Sequence, residues 1–444
     1  MTCEEDIIAL DPHLSHIEAM VLGAHKESLD KVLETYDAPD PILEHLPVSV
    51  FQNSRGELGH FDVPPHFLAG QAPRLRVLNL WDCLPTWSNL SPFKSLVRLS
   101  INGLRVIRDP PPVTEYIELF KFLQQMSNFE ILDLCYLFPP RPEFLTTKFV
   151  VQLPRLPRLV LTGYPSDCLA LLQCLDLPRA AELHLFVTFH DRVGLEDGWT
   201  DLIFIATSHF TAAPSSNSPS RYLILNSRVD SVLFSILLEL HHGIVSQTPL
   251  QPQVPVGVIS FVWMNGLARA AESSIIISQV LHELPLAGLP VVSVSVEAMN
   301  WSATNWLETF AQYNAVQHVR AESYAGVALV NALTESTAAG WPVSGATPQT
   351  VQDGPHGDSH FPQLISLSLP KKVVFCSSHP SLTGKNSLRV ALGTVFVTWL
   401  QRRIARQASL KRLSLHDCNL WQSQEDSLRQ LVPAFEYVLE GRHR

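Results

Sequence analysis

The residues of this chain with chemistry to offer are scattered histidines, cysteines and one basic cluster. Pro355-His356-Gly357-Asp358-Ser359-His360 has the residue types of a metal site. Zinc needs a further ligand at a defined spacing and an element to hold the set. Neither is present here, so these read as loop histidines. His282-Glu283 comes nearest to the zinc-protease pattern H-E-x-x-H. Leu284-Pro285-Leu286 follows instead, no second histidine stands four residues on, and the proline breaks the helix that the pattern requires. His241-His242 reads as a cationic helix end, favourable to the dipole. No G-x-S-x-G elbow, G-x-G-x-x-G turn or phosphate-binding loop occurs. No enzyme activity and no cofactor are therefore expected.

The seven cysteines (Cys3, Cys83, Cys135, Cys168, Cys174, Cys376 and Cys418) are odd in number and form no C-x-x-C pair. That usage suits buried thiols in a reducing compartment. Cys168 and Cys174 stand six apart on one expected helix, too poorly opposed for a disulfide. Arg402, Arg403, Arg406, Lys411, Arg412 and Arg442-His443-Arg444 make the C-terminal part basic, which reads as a solvated helix face and tail. The whole chain carries a net charge of −10. That excess, with no aromatic platform between the basic residues, points away from nucleic acid. Apolar runs stop far short of the roughly 20 residues of a membrane helix, and no secretory leader opens the chain. A monomer in the cytoplasm, or the nucleus, is expected.

What remains is recognition by a surface, and the elements that carry it are repeats. Leu410-Lys-Arg-Leu413-Ser-Leu415-His-Asp-Cys418-Asn-Leu420 fits L-x-x-L-x-L-x-x-N/C-x-L at every fixed position. L-x-L places both leucines on one face of a strand. Leu75-x-x-Leu78-x-Leu80-x-x-Cys83 and Leu96-x-x-Leu99-x-Ile101 fit well. Leu43-x-x-Leu46-x-Val48, Phe129-x-x-Leu132-x-Leu134, Leu156-x-x-Leu159-x-Leu161, Ala180-x-x-Leu183-x-Leu185, Val316-x-x-Val319-x-Ala321 and Leu364-x-x-Leu367-x-Leu369 are further copies, with a loose one from Leu14 to Leu22. From Leu43 to Ala180 the starting positions lie 32, 21, 33, 27 and 24 residues apart, so the array is irregular.

Amphipathic helices are expected between strands: Glu27 to Thr35, Thr114 to Met126, Ser166 to Leu175 with Ser166 as N-cap, Asn305 to Tyr313, Ala325 to Leu333 and Ser387 to Arg406. A capping-box start at Ser423-Gln-Glu-Asp426 opens the last, with Leu428, Leu431 and Phe435 inward. In the middle, strands are expected at 221–225, 258–261 and 291–296, with helices at Val229 to Leu240 and Ser273 to Leu284. Residues 211–220, 247–255 and 334–360, rich in Ser, Pro, Gly or Gln, are expected as loops, the first and last as mobile insertions. Strand alternating with helix predicts parallel strands. The expected fold is therefore α/β: one irregular leucine-rich-repeat solenoid over 1–444, its curved parallel sheet on the concave side and its helices on the convex side.

Side chains alternating with the leucines should line the concave face. They are Val77, Asn79 and Trp81; Arg98, Ser100 and Asn102; Arg158, Val160 and Thr162; His184 and Phe186; His318 and Arg320; and Arg412, Ser414 and His416. This ladder is the expected binding site for a protein partner, since exposed Trp and Arg are enriched where binding energy concentrates.

The order of segments, above all Gly70-Gln-Ala-Pro-Arg-Leu-Arg-Val-Leu-Asn-Leu-Trp81, Leu153-Pro-Arg-Leu-Pro-Arg-Leu-Val-Leu161 and Trp399 to Cys418, resembles the leucine-rich-repeat region of fungal, basidiomycete-type F-box proteins. The likeness runs from about His13 to Val438. It implies a substrate receptor of SCF-type ubiquitin ligases, linked through a Skp-type adaptor. The F-box itself, which docks that adaptor, is missing. The one nearby Leu-Pro, in Leu46-Pro47-Val-Ser-Val-Phe51, reads as a repeat strand. A stand-alone repeat scaffold with no ligase role is the alternative.

Overall fold

An L-x-L strand is held in place when its leucines are buried and its intervening residues are not, because a slip of one residue exchanges the two faces. A computed structural model of the chain buries the L-x-L apolar residues in each repeat strand whose side chains it describes, and leaves the intervening ones at least partly exposed except the small Ser100, Ser293 and Ser414. Described are residues 16–35, 40–51, 61–64, 72–85, 87–90, 93–103, 113–126, 128–136, 150–178, 180–189, 198–211, 221–229, 233–242, 257–264, 281–282, 291–296, 302–310, 313–338, 361–370, 386–416, 418, 420 and 422–438, with backbone alone over 221–264. They fall into two compact units, Met1–Ala213 with Gly257–Ser260, and Pro214–Val256 with Phe261–Arg444.

The first unit runs β1 (Leu22–His25), α1 (Lys26–Thr35), β2 (His45–Phe51), β3 (Phe61–Val63), β4 (Val77–Trp81), β5 (Cys83–Pro85), α2 (Trp87–Leu90), β6 (Arg98–Asn102), α3 (Val113–Gln125), β7 (Ile131–Cys135), β8 (Val151–Gln152), β9 (Arg158–Gly163), α4 (Pro165–Cys174), β10 (Leu175–Asp176), β11 (Glu182–Phe189) and α5 (Trp199–Thr211). Strands β1, β2, β4, β6, β7, β9 and β11 pair in that order, all parallel. Two short parallel pairs, β3 with β5 and β8 with β10, lie apart from them.

Register aligns the leucines. Leu46, Leu78, Leu99, Leu132, Leu159 and Leu183 stand side by side, and Val48, Leu80, Ile101, Leu134, Leu161 and Leu185 form the next row. All are buried, each worth about 1.5–3 kcal/mol of transfer free energy. A tight turn precedes several strands: the amide of Leu75 donates to Ala72, Leu96 to Phe93 and Leu156 to Leu153. The strand and its turn are nearly constant, while the return segments differ in length. This accounts for the irregular spacing.

The second unit contains β12 (Arg221–Val229), β13 (Leu233–His242), β15 (Val291–Val296), α6 (Ala303–Phe310), β16 (His318–Glu322), α7 (Ser323–Ala338), β17 (Ser366–Pro370), α8 (Asn386–Ala405), β18 (Arg412–His416), α9 (Gln422–Leu431) and β19 (Ala434–Val438); β14 (Gly257–Met264) is divided between the units. Strands β12, β15, β16, β17, β18 and β19 are parallel, and β13 is antiparallel to β12. The same turn recurs, with Val316 donating to Tyr313 and Leu364 to Phe361. Trp306 anchors the core: its indole N–H donates to the Ala325 carbonyl at 2.9 Å, and its ring meets Phe310 and Phe361.

Several expectations are corrected. Residues 233–242 form a strand, not a helix. Leu233-Phe-Ser-Ile-Leu-Leu-Glu-Leu is a short apolar run that periodicity alone does not resolve, and β12, ending three residues earlier, pairs with it as a hairpin. His241 and His242 therefore lie in a strand, not at a helix end. Helix α4 starts at Pro165, with Tyr164 as N-cap and no side-chain cap bond; the Ser166 hydroxyl donates to Asp167 instead. Phe435 lies in β19, not on the last helix. Helix α7 runs on to Ala338. Residues 212–220, 247–255 and 339–360, with His356, Asp358 and His360, lie outside the described residues, as do Leu14, Glu283 and all but 281–282 of the expected helix at 273–284.

Arg403 departs most from expectation. It is 7% exposed. Its guanidinium donates to the carbonyls of Ala408, Phe361 and Leu364 and lies 5.3 Å from the centre of the Trp399 ring. Arg402 and Arg406 are exposed, as a solvated face requires. Arg403 supplies donors to the Ala408 and Leu364 carbonyls and a second donor to Phe361, whose carbonyl also accepts the Leu364 amide, so it ties α8 to the turn before β17.

Candidate interaction surface

The first unit places its intervening side chains in rows across strands. One row is His45, Val77, Arg98, Ile131, Arg158 and Glu182. The next is Pro47, Asn79, Ser100, Asp133, Val160 and His184. The third is Ser49, Trp81, Asn102, Cys135, Thr162 and Phe186. The structure thus brings together all expected ladder residues of this unit. Ser100 is buried, and Trp81 and Arg98 are exposed, with the rest between these extremes. Ile131, Asp133 and Cys135 were absent from the expected ladder, although Leu132-Asp133-Leu134 carries the same L-x-L signal.

Polar residues in these rows bond to one another. The Ser100 hydroxyl donates to Asp133 at 3.2 Å. Burial pushes the Asp133 carboxyl above its ordinary range, opposed by that hydroxyl and by Arg98. Arg158 donates to Glu182 at 2.6 Å, with His184 at 3.8 Å from the same oxygen. The buried Oδ1 of Asn79 has no hydrogen-bond partner among the described residues. An unmet acceptor of this kind costs roughly 1–3 kcal/mol.

Trp81 is 57% exposed and Phe51 52%. Ser49 sits across from Trp81, with Phe51 two residues further along the same strand. The Phe51 ring folds back over β1: a Cβ on Gly23 would lie 2.8 Å from its Cζ, so a larger residue there would push the ring aside. Val21, at 76% exposure, begins the same edge. The apolar patch therefore lies over the first strands of the unit.

At the C-terminal ends of β7, β9 and β11 a second polar group forms. The hydroxyls of Tyr136 and Thr188 lie 2.7 Å apart, and Tyr136 meets the Tyr164 ring edge-on. Asp167, 3% exposed, is the third residue of α4 and accepts from the Tyr164 amide, the return half of a capping box. Burial raises its pKa to about 8, against the lowering effect of the Ser166 hydroxyl and that amide. The Tyr164 hydroxyl is pushed up to about 12 by burial, then by Tyr136 and Asp167. Cys168 is wholly buried and its thiol is raised by that burial. Cys83, Cys168, Cys174 and Cys418 are free, buried thiols. Burial raises the thiols of Cys83, Cys168 and Cys174, and a raised thiol is a poor nucleophile, so these three are packing residues.

In the second unit His318, Arg320, Arg412, Ser414 and His416 also occupy the intervening positions. Burial lowers the pKa of His318. Arg320 pairs with Glu322 at 2.7 Å, and Arg412 lies 3.6 Å from Glu436. Ser414 Oγ is 2.8 Å from His416 Nε2 and 3.2 Å from Glu436. This trio has residue types of a nucleophile and its base. The carboxylate, however, holds the serine and not the imidazole, Ser414 is 7% exposed, and β18 has strand partners on both sides.

Among the described residues no three His, Cys, Asp or Glu side chains group as metal ligands, and no helix is long and apolar enough to cross a membrane. No protein-family model and no curated protein matches this chain.

Proposed function

We propose that the chain is a leucine-rich-repeat solenoid acting as a protein-interaction module. In this reading the intervening strand residues form the recognition face of the sheet and the helices back it on the other side. The observation that supports it most is the first unit's outward face. Trp81 and Phe51 are held exposed by buried leucine rows, beside an Asn79 oxygen without a donor. Rigid, exposed aromatics beside unmet polar groups are what a partner's anchor residues use. The module works as a monomer in the cytoplasm or the nucleus, with no cofactor and no catalysis of its own.

The finer reading follows from the segment resemblance: a substrate-recognition region linked to SCF-type ubiquitin ligation. One observation favours the alternative of a stand-alone scaffold. Leu46–Phe51 lies in β2, with Leu46 and Val48 buried and partners on both sides, so that Leu-Pro does not open an adaptor-docking helix. A pull-down of the purified chain with a purified Skp-type adaptor separates the two. Stoichiometric capture supports the ligase link, and no capture at micromolar concentrations removes it.

A further inference from the structure

Three turns before strands of the first unit and two of the second share one backbone hydrogen bond but differ in charge; the start of β18, Leu410-Lys411-Arg412, is also basic but lacks that bond. In the first unit they read Ala72-Pro-Arg74-Leu75-Arg76, Phe93-Lys94-Ser-Leu96-Val97 and Leu153-Pro-Arg155-Leu156-Pro157. In the second they read Tyr313-Asn-Ala-Val316-Gln317 and Phe361-Pro-Gln-Leu364-Ile365. Arg74, Arg76, Lys94 and Arg155 are all exposed. Among the described residues none of the four pairs with a carboxylate. Arg98, the first residue of β6, extends the row and faces Asp133 only at longer range. The facing carboxylates are Glu44 and Glu130, and Glu182 is already taken by Arg158. A chain of net charge −10 thus carries a cationic rim along the strand starts of β4, β6 and β9.

Position explains why these charges project together. The turn fixes its first and fourth residues inward, as buried Ala72 and Leu75, Phe93 and Leu96, and Leu153 and Leu156 show. The residues between them must then project outward. Neighbouring strands stand about 4.8 Å apart, so β4 and β6 offer cations about 5 Å apart, and β9 follows two strands on. An extended peptide places same-side groups about 7 Å apart, so its carboxylates reach these cations through the length of the Arg and Lys side chains rather than by a matched spacing. Guanidinium pairs with carboxylate in a two-point fork, which favours a row of Asp or Glu. The rim lacks the interleaved aromatic rings that stack on bases.

We infer that the strand-start rim of the first unit, Arg74, Arg76, Lys94, Arg98 and Arg155, docks an extended acidic segment of a partner protein. This deepens the interaction reading by naming the partner's chemistry, and it uses residues other than the Trp81 patch.

The test uses a fluorescent ten-residue glutamate peptide, a matched glutamine peptide and a ten-nucleotide thymidine strand, titrated into the full chain. The glutamate peptide is expected to bind and the glutamine peptide not. Affinity should fall about tenfold or more in the variant Arg74→Gln/Arg76→Gln/Lys94→Gln/Arg155→Gln, and should weaken steeply with salt. Thermal melting of that variant checks that it is folded; if it is not, single Arg155→Gln with the salt series serves. No glutamate binding, or binding that the variant leaves unchanged, overturns the inference. Tighter binding of the thymidine strand overturns it in favour of a nucleic-acid phosphate row. Trp81→Ala should leave peptide binding intact, so failure of the rim and failure of the aromatic face are read separately.

Discussion

The two units bury their strands alike and use their outward residues differently. Leu99 in the first and Leu413 in the second are both fully buried on a central strand. Outside that row both units pair some polar residues, Arg158 with Glu182 and Ser100 with Asp133 in the first, and the likeness ends there. In the second unit Arg320, Arg412, Ser414 and His416 are engaged with Glu322, Glu436 or one another. In the first, Trp81 and Phe51 stand exposed, the Asn79 oxygen lacks a donor and a row of cations lines the turns. Inward positions obey packing, which admits few residue types. Outward positions are free of that constraint, so a binding surface can differ between units built on the same repeat.

The largest expected effect should be the same in both. Leu99→Ala and Leu413→Ala should each cost about 2–5 kcal/mol, measured by chemical denaturation. A small loss at one and a large loss at the other would mean that the leucine rows are not equivalent. Arg403→Met should cost about 2–4 kcal/mol by leaving buried carbonyls unmet, in the second unit alone. A loss no larger than that of exposed Arg402→Met would remove Arg403 from its clamping role.

Asp167 gives the first unit a pH signature. The ordinary aspartate value is 3.8, and in the fold this carboxyl titrates near 8. Between those values the folded chain holds a proton that the unfolded chain has lost, so stability falls as pH rises from about 4 to about 8 and levels off above. Asp167→Asn keeps an acceptor for the Tyr164 amide and should abolish that part of the slope. The variant should be more stable than the parent by at least about 1 kcal/mol at pH 8, with no gain near pH 4. Equal melting curves at pH 8 would contradict the burial of a protonated carboxyl.

The smallest expected effects are on the outward residues. Trp81→Ala and Arg412→Ala should each change stability by no more than about 0.5 kcal/mol. They should part company in binding, with Trp81→Ala losing partner capture and Arg412→Ala keeping it. If both lost it, the second unit's ion-paired face would have to be counted as recognition surface too.

The sequence made the repeat strands legible because L-x-L alternation and strand burial are the same fact seen twice. Every copy from Leu43 to Ala180 lies on a paired strand, as do those at Val319, Leu367 and Leu413. Residues 233–242 were not legible, since a short run of Leu, Ile and Phe suits helix and strand equally until a partner strand is known. Arg403 was misread for a related reason: helical spacing says which residues share a face, but not that the carbonyls of a distant turn need donors. The intervening residues lie on paired strands as the alternation placed them, yet Asp133 was left out of the ladder although Leu132 and Leu134 flank it in the same way. The basic rim was invisible as a motif. Its cations are separated by tens of residues, and only strand pairing sets them in a row.

The most direct test of a recognition face in the first unit is site-specific photo-crosslinking in extract from the source cells. A photoreactive amino acid is placed in turn at position 81 and, as a control, at position 117 on α3, where Ile117 is also exposed. A discrete adduct to one protein from position 81, absent from position 117 and competed away by unlabelled chain, is the expected result. Adducts from position 117 alone, or the same diffuse pattern from both, would contradict the assignment of the binding surface to the strand face.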